Sequence, residues 1–148
     1  MLKSTATYSI ALLLLLVTFT QCTTSRQKVL RQQYKQIYIE EFKLIYFQKL
    51  LEAGFNNSEE VNNLIRFDKS GFTEPVLTIE DYQLIERLVQ ADQQQMRADS
   101  AAKIGRVAEG AEGKHVFSHI LTKLEGKWLD NLAKERYKLS DFRHIPLD

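Results

Sequence analysis

The stretch that most constrains this chain is Tyr34 to Leu51, YKQIYIEEFKLIYFQKLL. Read as a helix, it repeats Ile37, Leu44 and Leu51 at heptad spacing, with Tyr38, Phe42, Ile45 and Tyr46 as a second row beside them. A helix with one buried face needs an apolar stripe only a little over about 100° wide. This stripe is wider, and Lys35, Glu41, Lys43 and Gln48 leave only a narrow polar strip. Such a helix needs neighbours on at least two sides, so it is predicted to be the central member of a bundle. Its tyrosines are expected to pack their rings and keep their hydroxyls near water. A strand is excluded by the length of the run and by Glu40-Glu41, which breaks strict alternation.

Upstream, Ile10 to Val17 (IALLLLLV) is an unbroken apolar block behind a single basic residue, Lys3. A bilayer-spanning helix needs roughly 20 apolar residues, more than twice this length. A short apolar block with small polar residues after it reads as a secretory signal peptide, residues 1–21. The only cysteine of the chain, Cys22, stands directly behind it. The segment resembles bacterial lipoprotein signals, in which that cysteine becomes the acylated first residue. It departs from the usual pattern in having Phe19 three places before the cysteine and Gln21 just before it. Residues 22–33 then read as the acylated cysteine, a basic polar tether and the start of the first helix. Residues 34–148 read as one all-helical domain. The resemblance implies a cell-envelope address, facing the periplasm and held to a membrane through Cys22.

With Cys22 alone, the domain must fold without disulfides, and a chain of this size buries enough surface to do so. Its 20 basic and 19 acidic side chains nearly balance, which gives no footing for nucleic acid. The first domain helix is expected to end at Gly54 in a left-handed cap. Asn57, with Glu60 three residues on, is expected to cap a short helix over 58–66. Thr78, with Asp81 three residues on, opens a third helix whose stripe is Tyr82, Ile85, Leu88, Val89 and Met96. From Asp92 onward this helix turns polar and is expected to run along or beyond the core edge. Gly105, Gly110 and Gly113 interrupt the chain before a last helix, expected over 114–137 with Phe117, Ile120, Leu121, Leu124 and Trp128 as its inner face. Every segment reads as helix. The predicted fold class is all-α, a single bundle of about four to five helices.

The one long irregular stretch is 67–77, FDKSGFTEPVL, with a turn signal at Ser70-Gly71 and Pro75 holding Glu74 out of helical geometry. It has two readings: a connector tucked under the bundle, or a recognition loop with Phe72 and Glu74 at its tip. His115 and His119 are four apart, so they share a helix face. The residues between them and the lack of further ligands fit a solvated polar face better than a zinc site. No cofactor motif, phosphate-binding loop or nucleophile-base pair is legible, and the chain is expected not to be an enzyme.

From about Tyr34 to Tyr137 the chain resembles the immunity proteins that protect bacteria from peptidoglycan amidases delivered by type VI secretion. The likeness lies in the aromatic first helix with its Gly54-Phe55-Asn56-Asn57-Ser58 turn, the Gly113-Lys114 start of the last helix, and Lys127-Trp128-Leu129-Asp130-Asn131-Leu132. The resemblance implies an all-helical, often homodimeric inhibitor that plugs the cleft of an amidase toxin. It places the partner-binding surface at Ser70, Gly71, Phe72, Thr73 and Glu74, with His115 and His119 as a second surface. The other reading is a structural or assembly lipoprotein of an envelope complex, with the polar helix from Asp92 to Lys103 packing against a partner.

Overall fold

The computed structural model describes residues 3–71, 75–102 and 113–140, with side chains from Arg26 onward. These residues form five helices and no strand: α1 Lys3–Gly54, α2 Glu59–Phe67, α3 Ile79–Ala101, α4 Val116–Glu125 and α5 Lys127–Leu139. The all-α bundle is as the periodicity predicts. Helix α1 is its centre, packed by each of the other four. Among the described residues no helix is long and apolar enough to cross a membrane.

Helix α1 is longer than expected, since it begins at Lys3 rather than within residues 22–33 and includes the segment read as a tether. No glycine or proline occurs between Lys3 and Ala53 to stop it. In its lower half Tyr38, Phe42, Tyr46 and Leu50 are fully buried, while Ile37, Leu44 and Leu51 are half-buried. The second row is therefore the inner one. The polar strip is not uniformly wet either, because Glu41 is buried.

Gly54 ends α1 for a different reason from the one expected. Left-handed geometry belongs to Asn56 and Asn57, with φ of 55° and 56°, a conformation asparagine tolerates better than most residues. What Gly54 provides is space: a Cβ there would stand 2.5 Å from Cγ1 of Val116, the first residue of α4. Lys114 Nζ closes the corner by donating to the Gly54 carbonyl at 3.1 Å and to Asn56 Oδ1 at 2.6 Å. We expect Gly54→Ala to destabilise the fold by about 1–3 kcal/mol through overpacking. Val116→Ala in the same chain should recover part of that loss, seen as a favourable coupling in urea unfolding. Additive losses would show that the approach of α4 to α1 is not limiting.

Ser58, one place later than expected, caps α2 by accepting from the Val61 backbone N–H. The last helical region is broken where one continuous helix is predicted. Gly126 is extended, with φ −67° and ψ 135°, and separates α4 from α5. That break resets the helical phase. Helix α4 buries Val116 and Ile120, whereas Phe117 and Leu121 of the predicted inner face are 64% and 56% exposed. Helix α5 buries Leu129, Ala133 and Tyr137, one turn apart, and Trp128 is 45% exposed.

Candidate functional site

The chemistry of this bundle is concentrated on two buried carboxylates of α3, Asp81 and Asp92. The Thr78–Asp81 capping box is as predicted: Asp81 Oδ2 accepts from the Thr78 backbone N–H and hydroxyl at 3.0 Å each. The carboxylate does more than close the helix, since it is fully buried. The Tyr38 hydroxyl of α1 donates to Oδ2 at 2.7 Å, and Arg136 Nε of α5 donates to Oδ1 at 2.7 Å. Tyr137 packs edge-on against Tyr38, with ring centroids 5.5 Å apart.

Three turns further along α3, Asp92 repeats the arrangement. It accepts from the Tyr46 hydroxyl of α1. Lys123 Nζ of α4 lies 2.6 Å from Asp92 Oδ1, and His119 Nε2 lies 3.1 Å from the same oxygen. Trp128 stands edge-on to Tyr46 and under the Lys123 ammonium, 5.7 Å from nitrogen to ring. The polar stretch from Asp92 is thus not a free-standing helix. Asp92 and Met96 are buried, and Gln93 donates to the Ala53 carbonyl at 2.9 Å, so α3 stays packed to its last turn.

Burial alone would push the Asp81 carboxyl up, but donation from Tyr38, Thr78 and Arg136 outweighs it, and the group is held below the ordinary carboxylate range. Asp92 is lowered likewise: burial is outweighed by Lys123, Tyr46 and His119. The Tyr38 and Tyr46 hydroxyls are pushed up, by burial first and then by the carboxylate each one faces. The stability the two aspartates contribute is therefore complete above about pH 4 and lost as pH falls through their lowered values. That of the neutral tyrosines is complete below about pH 10 and lost above it. Thermal stability should fall at both ends, and the tyrosinate absorbance of Tyr38 and Tyr46 should develop together with the loss of helix. If all tyrosinate forms while the helical signal is intact, these hydroxyls are not buried donors.

The sequence-predicted site residues divide into separate groups. Ser70 and Gly71 are exposed, and Asp68 Oδ1 pins the turn by accepting from the Ser70 backbone and hydroxyl at 3.2 and 2.6 Å. Gly71 lies over Glu41 and Leu44 of α1. Phe72, Thr73, Glu74 and the side chain of Cys22 lie outside the described residues. His115 is half-buried at the start of α4 and makes no side-chain cap. His119 does not face solvent as predicted: its side chain is 14% exposed and turned onto Asp92. It lies three residues after Val116, so it follows the face that docks on α1.

His119 and the Ser70-Gly71 turn do not form one surface. His119 meets the Tyr46 side of α1, whereas Gly71 meets Leu44, two residues earlier and about 200° round the helix. Among the described residues no cluster of three metal-ligating side chains occurs, and no buried side-chain polar atom lacks a partner. A polar cavity of about 330 Å³ lies between Glu52, Asn57, Glu86 and Gln93, and a mostly apolar one of about 260 Å³ between Arg31, Gln32, Lys35 and Tyr137.

Sequence reasoning missed a further exposed feature. Helix α2 buries none of its residues, and Leu64 and Phe67 are 69% and 79% exposed at the edge from which the 67–77 loop leaves. Its signal was the apolar spacing Val61, Leu64, Ile65, Phe67, which is wider than a nine-residue helix can bury against one neighbour. No family model, curated protein or solved structure matches the chain.

Proposed function

We propose that this protein is a non-catalytic, envelope-held binding module that acts as an immunity protein, inhibiting a peptidoglycan amidase by covering its cleft. The observation that carries the reading is the exposed apolar edge of α2 beside the pinned Ser70-Gly71 turn. Hot spots on protein interfaces are apolar or aromatic anchors next to polar groups that fix orientation. Leu64 and Phe67 supply the first, and Ser70 and Gly71 the second. The two internal carboxylates are satisfied within the bundle, so they stiffen the scaffold and are not offered to a substrate. Attachment through Cys22 would concentrate the module beside the cell wall, where such a toxin arrives. His119 is no longer part of the binding surface in this reading, since Asp92 holds it. The assembly-protein alternative would use the exposed side of α3 at Gln94, Gln95 and Arg97, since only Asp92 and Met96 of its polar stretch are buried.

Cells lacking the protein, challenged with a peptidoglycan amidase effector, should lyse where wild-type cells survive, and the purified chain should inhibit the amidase. Phe67→Ala should weaken that inhibition by at least about tenfold, the size of a modest hot spot, while leaving the unfolding midpoint unchanged because Phe67 is exposed. Survival that is unaltered against every such effector rules the reading out.

A further inference from the structure

Between Met1 and Ile39 the chain has no acidic residue, and four cations, Arg26, Lys28, Arg31 and Lys35, follow Cys22 within the next 13 positions. All four stand on α1, which is unbroken here. Arg26, Lys28 and Arg31 are exposed and Lys35 is half-buried. Lys28, Arg31 and Lys35 lie within about 60° of one another around the axis, at 100° per residue, and Arg26 points away from them. Their face is the upward continuation of the buried one: Lys28, Lys35 and Phe42 are each seven residues apart, as are Arg31 and Tyr38. Above Tyr137, among the described residues, the side of α1 that is apolar lower down turns cationic and borders an open cavity. Lys35 is partly engaged, because Asp130 feels its charge along with those of Lys134 and Lys43. The other three have no carboxylate against them among the described contacts.

We propose that this end of α1 is a contact surface for anionic phospholipid headgroups. The inference rests on the membrane attachment at Cys22 given above and adds to it a lipid preference. At 1.5 Å per residue, Arg26 and Lys28 stand about 6 and 9 Å from the level of Cys22, with Arg31 and Lys35 at about 14 and 20 Å. The field of an anionic surface decays over a Debye length of about 8 Å at physiological salt. Each basic residue close to such a surface strengthens binding about fivefold. At their heights the field has fallen to about half and one third, so Arg26 and Lys28 together are worth about fourfold, and the two further cations raise the total to about sixfold. The same geometry holds whether or not residues 1–21 are removed, since the distances are counted from Cys22.

The test uses the full chain on phosphatidylcholine vesicles with and without phosphatidylglycerol. Acylated wild type should sediment with both, which reports the attachment. The Cys22→Ser chain keeps partitioning reversible, and it should bind the phosphatidylglycerol vesicles about sixfold more tightly than the neutral ones. Arg26→Gln with Lys28→Gln should remove most of that preference, Arg31→Gln with Lys35→Gln less of it. Arg26→Lys with Lys28→Arg should retain it, and high salt should erase it. Equal binding of the Cys22→Ser chain to both vesicle types overturns the inference and leaves the attachment standing. A preference that survives removal of all four charges also overturns it. Acylated wild type that sediments with neither vesicle overturns attachment and inference together.

Discussion

Asp81→Ala is expected to destabilise the bundle by about 3–5 kcal/mol, the cost of removing one partner from a buried, hydrogen-bonded charge pair. Four donors end on this carboxylate: the Tyr38 hydroxyl, Arg136 Nε, and the Thr78 backbone N–H and hydroxyl. Without it, the Tyr38 hydroxyl is left inside the core, the guanidinium loses its counter-charge, and α3 loses its N-terminal box. Arg136 is 23% exposed, so water can recover part of its solvation, which holds the expected loss within that range. Asp81→Asn keeps an acceptor for Tyr38 and should cost less. Asp130→Ala is the control. That carboxylate is one-third exposed and bridges Lys134 one turn along α5, so its loss should change stability by under about 1 kcal/mol. Urea unfolding of the three variants decides the matter, and an Asp81→Ala chain within 1 kcal/mol of wild type would show that the carboxylate is not a structural centre.

A second large effect is expected at Tyr46. The residue is fully buried, stands edge-on to Trp128 at 6.2 Å, and donates to Asp92. Tyr46→Ala should cost about 3–5 kcal/mol through the cavity it leaves. Tyr46→Phe separates the two roles, because it keeps the ring and removes one donor to a charged acceptor, a loss of about 1.5–3 kcal/mol. The phenylalanine variant carries a further signature. With one donor fewer, the Asp92 carboxyl should move back toward the ordinary range, so acid unfolding should begin at a higher pH than in wild type. An unchanged acid midpoint would mean that Lys123 and His119 alone hold Asp92 ionised.

How much of this was legible in the sequence depends on the range of the contact concerned. The central role of α1 follows from the width of its apolar stripe, a local property. The Thr78–Asp81 cap is also local, a three-residue spacing. The burial of Asp81 is not, because it depends on Tyr38, 43 residues away, and Arg136, 55 residues away. The tyrosine hydroxyls were expected near water for the same reason. One sequence names a side chain able to donate, but not the acceptor that another helix brings to it.

The error at the last helix has a different origin. Residues 114–137 were placed on one wheel, and a single extended residue, Gly126, separates them into two phases. A glycine in mid-helix lowers helix propensity without fixing where the chain turns. Two overlapping stripes, Val116/Ile120 and Phe117/Leu121, were therefore equally good candidates for the inner face. The space beside Gly54 admits Val116, and this selects the first stripe and carries His119 inward with it. The loop residues Ser70 and Gly71 stand exposed, as the recognition reading requires, and the bare edge of α2 next to them is signalled only by the width of its Val61, Leu64, Ile65, Phe67 stripe.

The paired tyrosine–carboxylate bonds have a mechanical consequence. Tyr38 and Tyr46 lie two turns apart on one helix, Asp81 and Asp92 three turns apart on another running the same way, so each bond fixes where the other can form. Sliding α3 along α1 by one helical turn, about 5.4 Å, would strand both hydroxyls and take one donor from each carboxylate at once. The two helices are keyed to one another like notched bars, and the Thr78 start of α3 is held at a set height against α1. The outer surface of α3 therefore takes its position from bonds made in the interior.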